Sequence, residues 1–122
     1  MYPEVRLRRL RQDKKIRNLV CETRIHPDEL VLPMFFDANI SDTKYTDSMP
    51  GIPTHPLGGY DGIASGIQES GVSSVLVFGV PSHKDAVGSG AYERDGVVQK
   101  AIEGLKENSD LLVIADLCLC EY

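Results

Sequence analysis

Asp116, Cys118 and Cys120 stand two residues apart at the end of the run Leu111-Leu112-Val113-Ile114-Ala115-Asp116-Leu117-Cys118-Leu119-Cys120. Successive side chains of a strand point to opposite faces. If the chain stays extended, one face therefore carries a carboxylate and two thiols in a row. Paired thiolates suit zinc, a borderline-soft cation held by sulfur at ~2.3 Å. Two sulfurs do not complete a site: a third ligand must come from elsewhere, and a catalytic centre keeps its fourth position open. The same residues admit plainer readings. Free cysteines often serve as small buried hydrophobes, and Asp116 alone could cap a loop. A carboxylate directly after five apolar residues is costly unless it is functional or paired. A reversible Cys118–Cys120 disulfide would be strained at this spacing on a strand.

Other chemically able residues give weaker signals. His26, His55 and His83 fall in predicted loops without ligand spacing, which makes them surface histidines. Ser48 and Ser89 have no paired His or Asp spacing and give no hydrolase signal. Cys21 lies outside the Cys-x-Cys segment, on a short predicted helix, where it packs. Three cysteines, an odd number, argue against a disulfide framework and leave the thiols free for metal.

The elements that would position the row can be read from the apolar pattern. Asp13 can cap a short helix bearing Ile16, Leu19 and Val20 on one face. Leu30 to Phe36 reads as a buried strand, with Pro33 tolerated at an edge or a bulge. Residues 37–60 form a long connection containing Pro50, Pro53 and Pro56, a kind that is uncommon inside a domain and often functional. A helix from about Asp61 carries Ile63 and Ile67 and stops at Ser70-Gly71, weakened at Gly62 and Gly66 by about 1 kcal/mol each. Ser74 to Val80 is apolar almost throughout, as suits a parallel strand covered on both faces. Asp95 caps a helix with Val98, Ala101, Ile102 and Leu105 at helical spacing, and Leu111 opens a third strand. Strand, helix, strand, helix, strand is the order of βα units with a parallel sheet. Asp116, Cys118 and Cys120 then sit at the carboxyl end of a strand, where ligands bind in such folds. No helix follows to cover that strand, so the expectation is an unfinished α/β domain.

The chain has 122 residues, 42% hydrophobic and 25% charged, without tryptophan. No run approaches the ~18 apolar residues of a membrane span. Met1 to Arg17 lacks the apolar core of a signal peptide, so a cytoplasmic location is the default. Charge is uneven. Residues 1–24 hold eight Lys/Arg against Glu4, Asp13 and Glu22, a net of +5, which leaves −10 on residues 25–122 of a total of −5. Such a basic arm could bind nucleic acid, touch an anionic membrane, pack on the acidic body of a neighbouring subunit, or remain a solvated tail. Nucleic acid is disfavoured, because the arm has no interleaved aromatics beyond Tyr2.

Val113 to Tyr122 resembles the zinc-type signature of the porphobilinogen synthase (δ-aminolevulinate dehydratase) family. So, in order, do Arg8-Arg9-Leu10-Arg11, Glu22-Thr23-Arg24, Leu32-Pro33-Met34-Phe35, Ser48-Met49-Pro50-Gly51 and Phe78-Gly79-Val80-Pro81. Lys84-Asp85, Gly88-Ser89, Ala91-Tyr92 and Asp95-Gly96 continue the match. The resemblance implies a (βα)8 TIM barrel, here its first three βα units as residues 25–122, with residues 1–24 as an arm embracing a neighbouring subunit. It implies a homo-oligomer, commonly an octamer, and a lyase condensing two 5-aminolevulinate molecules to porphobilinogen in heme biosynthesis. Cys118 and Cys120 become two of three zinc ligands, Asp116 an active-site carboxylate, and Phe78 a substrate-binding residue. The resemblance also implies magnesium as a further metal of the parent enzyme.

Three members of the implied site are missing from the sequence: the third cysteine, which would follow Tyr122, and the two Schiff-base lysines of later strands. Lys14, Lys15, Lys44, Lys84, Lys100 and Lys106 match no such motif and read as solvated surface lysines. The expectation is an inactive N-terminal portion of the enzyme. The competing expectation is a short non-catalytic module that binds metal or a subunit.

Overall fold

The computed structural model describes residues 1–122. Five strands form one sheet: β1 (Val31–Asp37), β2 (Lys44–Tyr45), β3 (Pro53–His55), β4 (Ser74–Val80) and β5 (Leu112–Ala115). Their order is β2-β3-β1-β4-β5, with β3, β1, β4 and β5 mutually parallel and β2 antiparallel at the edge. The helices are α1 (Lys14–Leu19), α2 (Tyr60–Glu69) and α3 (Val97–Asn108).

The three long strands fall where the apolar runs place them. β1 and β4 pair along their whole length, from Val31 opposite Ser74 to Asp37 opposite Val80. β5 extends the sheet from Leu112 opposite Ser74 to Ala115 opposite Val77. Pro33 is accommodated because β3 reaches only Phe35 and Phe36, which leaves the outer side of β1 open at residue 33. A missing N–H costs no ladder bond on an open side.

The supposed connection 37–60 is not structureless. It contains β2 and β3, too short to show a periodicity of two, and the expected three strands are five. His55 is consequently a β3 residue, half-buried with its ring centroid 5.8 Å from that of Phe36, and not a loop histidine on the surface. Burial pushes its imidazole below the usual histidine range.

One face of the sheet is covered. Met34 and Phe36 of β1 and Val75 and Val77 of β4 meet Ala64 and Ile67 of α2 and Val97, Ala101 and Leu105 of α3 in a single core. The helical period gives α3 its buried stripe, and Gly104 lies on it because Tyr60 presses there. Helix α3 begins at Val97 with Gly96 at its N-cap and no side-chain cap. The expectation that Asp95 caps it is therefore wrong: Asp95 lies one residue too early. Alternation puts Phe35, Phe78 and Ile114 on the opposite face, which no helix covers.

Residues 1–30 lie largely outside this core. Asp13 does cap α1, its carboxylate accepting the N–H groups of Lys15 (2.7 Å) and Ile16 (3.0 Å). The apolar face read onto α1 has no fully buried residue: Ile16 is half-buried and Leu19 is 81% exposed. Leu7 is 89% exposed and Leu10 59%, so the basic arm also carries an uncovered apolar surface.

Candidate metal centre

The last strand ends sooner than the apolar run suggests. Asp116 donates its backbone N–H to Val77 O at 3.4 Å, one rung beyond the Val77–Ala115 pair, and the chain then leaves the sheet. Leu117 is fully exposed. Leu119 accepts the Tyr122 N–H at 3.2 Å, which closes a turn with Cys120 and Glu121 at its corners. No Gly, Pro or Asn marks this turn, so the sequence gives no warning of it.

The reversal regroups the ligands. The extended row of Asp116, Cys118 and Cys120 does not form. Cys118, Cys120 and Glu121 instead bring one ligand atom each within 4.8 Å of one another, and Asp116 is not in the group. The two sulfurs thus do come together, at the carboxyl end of the parallel strands, by a turn and not by strand alternation. Glu121 is the member that sequence reasoning missed, since a turn has no period to reveal it.

Two thiols and a carboxylate are a donor set that fits a divalent zinc-like cation. The Cys120 side chain, hydrogen-bonded to Cys118, is the main influence that pushes the Cys118 thiol up to about 11. Without a metal the Cys118 sulfur therefore holds its proton at neutral pH, and binding must release it. Cys21 stands apart, its thiol donating to the Thr23 carbonyl at 2.8 Å.

Asp116 and Phe78 belong to the uncovered face. Phe78 stacks on Phe35 of the neighbouring strand, with centroids 5.1 Å apart and planes 16° from parallel. Asp116 follows β5 on the Leu112/Ile114 side, exposed to solvent. Carboxylate, aromatic pair and thiol turn thus gather at one end of the sheet. His26 and His83 are exposed and are not members of the group.

The turn is backed by a second, self-contained loop. Asp85 Oδ1 accepts the N–H groups of Val87 and Ser89, both at 3.0 Å, and its other oxygen accepts the Ser89 hydroxyl. Those bonds, led by the hydroxyl of Ser89, hold the Asp85 carboxyl below the usual carboxylate range. Ser89 is thereby a structural residue of this loop.

Comparison with known proteins agrees with this arrangement over nearly the whole chain. The family model described as delta-aminolevulinic acid dehydratase matches residues 4–122. The delta-aminolevulinic acid dehydratase of Methanothermobacter thermautotrophicus is 43% identical over 123 residues, covering 99% of this chain and 38% of its own length. That of Bacillus subtilis is 41% identical over 118 residues, covering 96% of this chain and 36% of its own. A solved structure of the Toxoplasma gondii enzyme, in complex with the reaction product porphobilinogen, superimposes with a TM-score of 0.83 at 27% identity. That match covers 94% of this chain and 33% of the other. The chain therefore spans a little over a third of the length of these relatives. A sheet of this order, a cysteine pair at its carboxyl end and a family match running from Glu4 to Tyr122 lead to one assignment: the chain belongs to the delta-aminolevulinic acid dehydratase family.

Proposed function

We propose that this chain is the N-terminal part of a porphobilinogen synthase, a lyase that joins two 5-aminolevulinate molecules into porphobilinogen with loss of two waters. Its sheet would be the first portion, three βα units, of a (βα)8 barrel, residues 25–122, with the hairpin strands β2 and β3 as an elaboration between the first two. The observation that carries the proposal is the meeting of Cys118 and Cys120 at the carboxyl end of the parallel strands. That is the end at which barrel enzymes hold their chemistry.

Cys118 and Cys120 would hold zinc, with a third sulfur from later in the enzyme. When bound, zinc supplies a Lewis acid or an orienting charge for a substrate oxygen. Asp116, exposed beside the turn, can accept a proton or hold a substrate ammonium. The Phe35–Phe78 pair offers an apolar wall for the methylenes of 5-aminolevulinate. The arm, residues 1–24, is basic and carries exposed Leu7 and Leu10, which suits packing on the acidic body of a second subunit in a homo-oligomer. No helix is long and apolar enough to cross a membrane.

The proposal is tested with a chimaera in which residues 1–122 replace the matching part of the Methanothermobacter enzyme. It should form porphobilinogen from 5-aminolevulinate, and Cys118→Ala or Cys120→Ala should abolish this. A folded chimaera that binds zinc and yet makes no porphobilinogen would refute the assignment.

A further inference from the structure

The loop bearing the two thiols has few anchors of its own. Between Asp116 and Tyr122 no backbone N–H of Leu117, Cys118, Leu119 or Cys120 bonds to another main-chain group. Leu117 and Leu119 face solvent. Only Tyr122 returns to the core, where it packs half-buried against the apolar cluster.

Its seat is made of glycines. A Cβ on Gly90 would lie 3.2 Å from Tyr122 Cδ1, one on Gly79 3.3 Å from its Oη, and one on Gly88 3.7 Å from its Cβ. Gly79 ends the buried side of β4, while Gly88 and Gly90 belong to the loop that Asp85 and Ser89 tie together. Gly88 also needs its φ of +61°, a conformation that side chains disfavour.

We infer that Tyr122 is a positioning residue for the thiol pair: its ring, seated in the Gly79–Gly88–Gly90 slot, clamps the turn that carries Cys118 and Cys120 onto the end of β4. The loop is then held at both ends by one strand, through Asp116 to Val77 and through Tyr122 to Gly79. The consequence for metal rests on the proposed zinc site, whereas the clamp itself does not. Two sulfurs on a tethered span lose less freedom on binding a cation than two on a loose one.

The experiment uses the 122-residue chain and two readouts. The first is metal-free: 15N heteronuclear NOEs of residues 117–121. The second is cadmium affinity from thiolate-to-metal charge-transfer absorption, with Cys118→Ser as blank. Tyr122→Ala should lower the NOEs of this loop alone, leaving Val75 and Val77 unchanged, and should weaken cadmium binding about tenfold, as loss of an outer support does. Gly90→Ala, which crowds the ring, should act in the same direction. Tyr122→Phe keeps the ring against Gly90 and loses only the hydroxyl over Gly79, so it should retain most of the wild-type value in both readouts. Wild-type NOEs in Tyr122→Ala, or equal damage from Tyr122→Phe, would overturn the clamp. Absence of charge-transfer absorption in the wild type would refute the metal site, and the NOEs would still decide the clamp.

Discussion

Phe35 and Phe78 stand opposite each other on adjacent parallel strands, their rings stacked 5.1 Å apart on the face of the sheet that no helix covers. On an open face each ring depends on the other for much of its shelter. Phe78→Ala should cost about 1–2 kcal/mol by urea denaturation, from half-burial of a large side chain plus a stacked pair. Phe78→Leu should recover part of the loss. A cost below about 0.3 kcal/mol, the size of an ordinary surface substitution, would show that the pair contributes nothing to stability.

The glycines of α2 and α3 predict opposite signs. A Cβ on Gly104 would come within 2.2 Å of the Tyr60 ring, so Gly104→Ala must displace Tyr60 from the core. It should destabilise by about 1–3 kcal/mol, the range for overpacking, despite the helical preference for alanine. Gly62 and Gly66 have nothing within 4 Å of a built Cβ. Alanine at either should stabilise by about 0.5–1 kcal/mol. Thermal unfolding of the three variants checks the signs, and a stabilising Gly104→Ala would contradict the packing.

Asp13 caps a helix that has no buried residue. Its loss should therefore be felt locally. Asp13→Ala should remove about 1 kcal/mol from α1, seen as faster amide exchange at Lys15 and Ile16. The global unfolding midpoint should not move. A lowered midpoint would mean that α1 is coupled to the sheet more tightly than its exposure allows.

The Asp85 loop gives a pH dependence. Its carboxyl lies below the usual range when folded, because Ser89 and neighbouring N–H groups favour the charged form. The unfolded chain then takes up the proton first as pH falls. The loop's stabilisation is complete above the ordinary carboxylate value near 3.8 and is lost as pH drops through the lower folded value. Exchange at Val87 and Ser89 should rise in that window, and Asp85→Asn should show the rise already at neutral pH. A flat profile in the wild type would contradict the hydrogen bonding.

Much of this architecture was legible in the chain, for reasons that also explain the misses. The runs at Val31–Asp37 and Ser74–Val80 are buried strands because nearly every residue is apolar, and no tertiary detail is needed to see it. β2 and β3 have two and three residues, too few to carry a period. Asp95 looked like a cap because its type is right, but Gly96 occupies that position. The thiol pair could be named from Cys118 and Cys120, whereas its geometry could not. The chain reverses at Cys120-Glu121 because Tyr122 finds a slot between glycines from two distant segments. That long-range fit leaves no local mark, so strand alternation points to a row of Asp116, Cys118 and Cys120 and not to a turn that adds Glu121 to the two thiols.

The 122 residues offer no lysine matching a Schiff-base motif, so the isolated chain should form no porphobilinogen at any zinc concentration. Incubation with 5-aminolevulinate followed by a colorimetric pyrrole assay checks this. Turnover would mean that one of its surface lysines acts as a nucleophile.

Cys118 and Cys120 are paired metal ligands in the proposed enzyme. X-ray absorption of the zinc-loaded chain measures this directly. Two sulfurs at ~2.3 Å are expected, with one lost in each of Cys118→Ser and Cys120→Ser and none lost in Cys21→Ser. A first shell of oxygen and nitrogen alone, or a sulfur count unchanged by those substitutions, would contradict it.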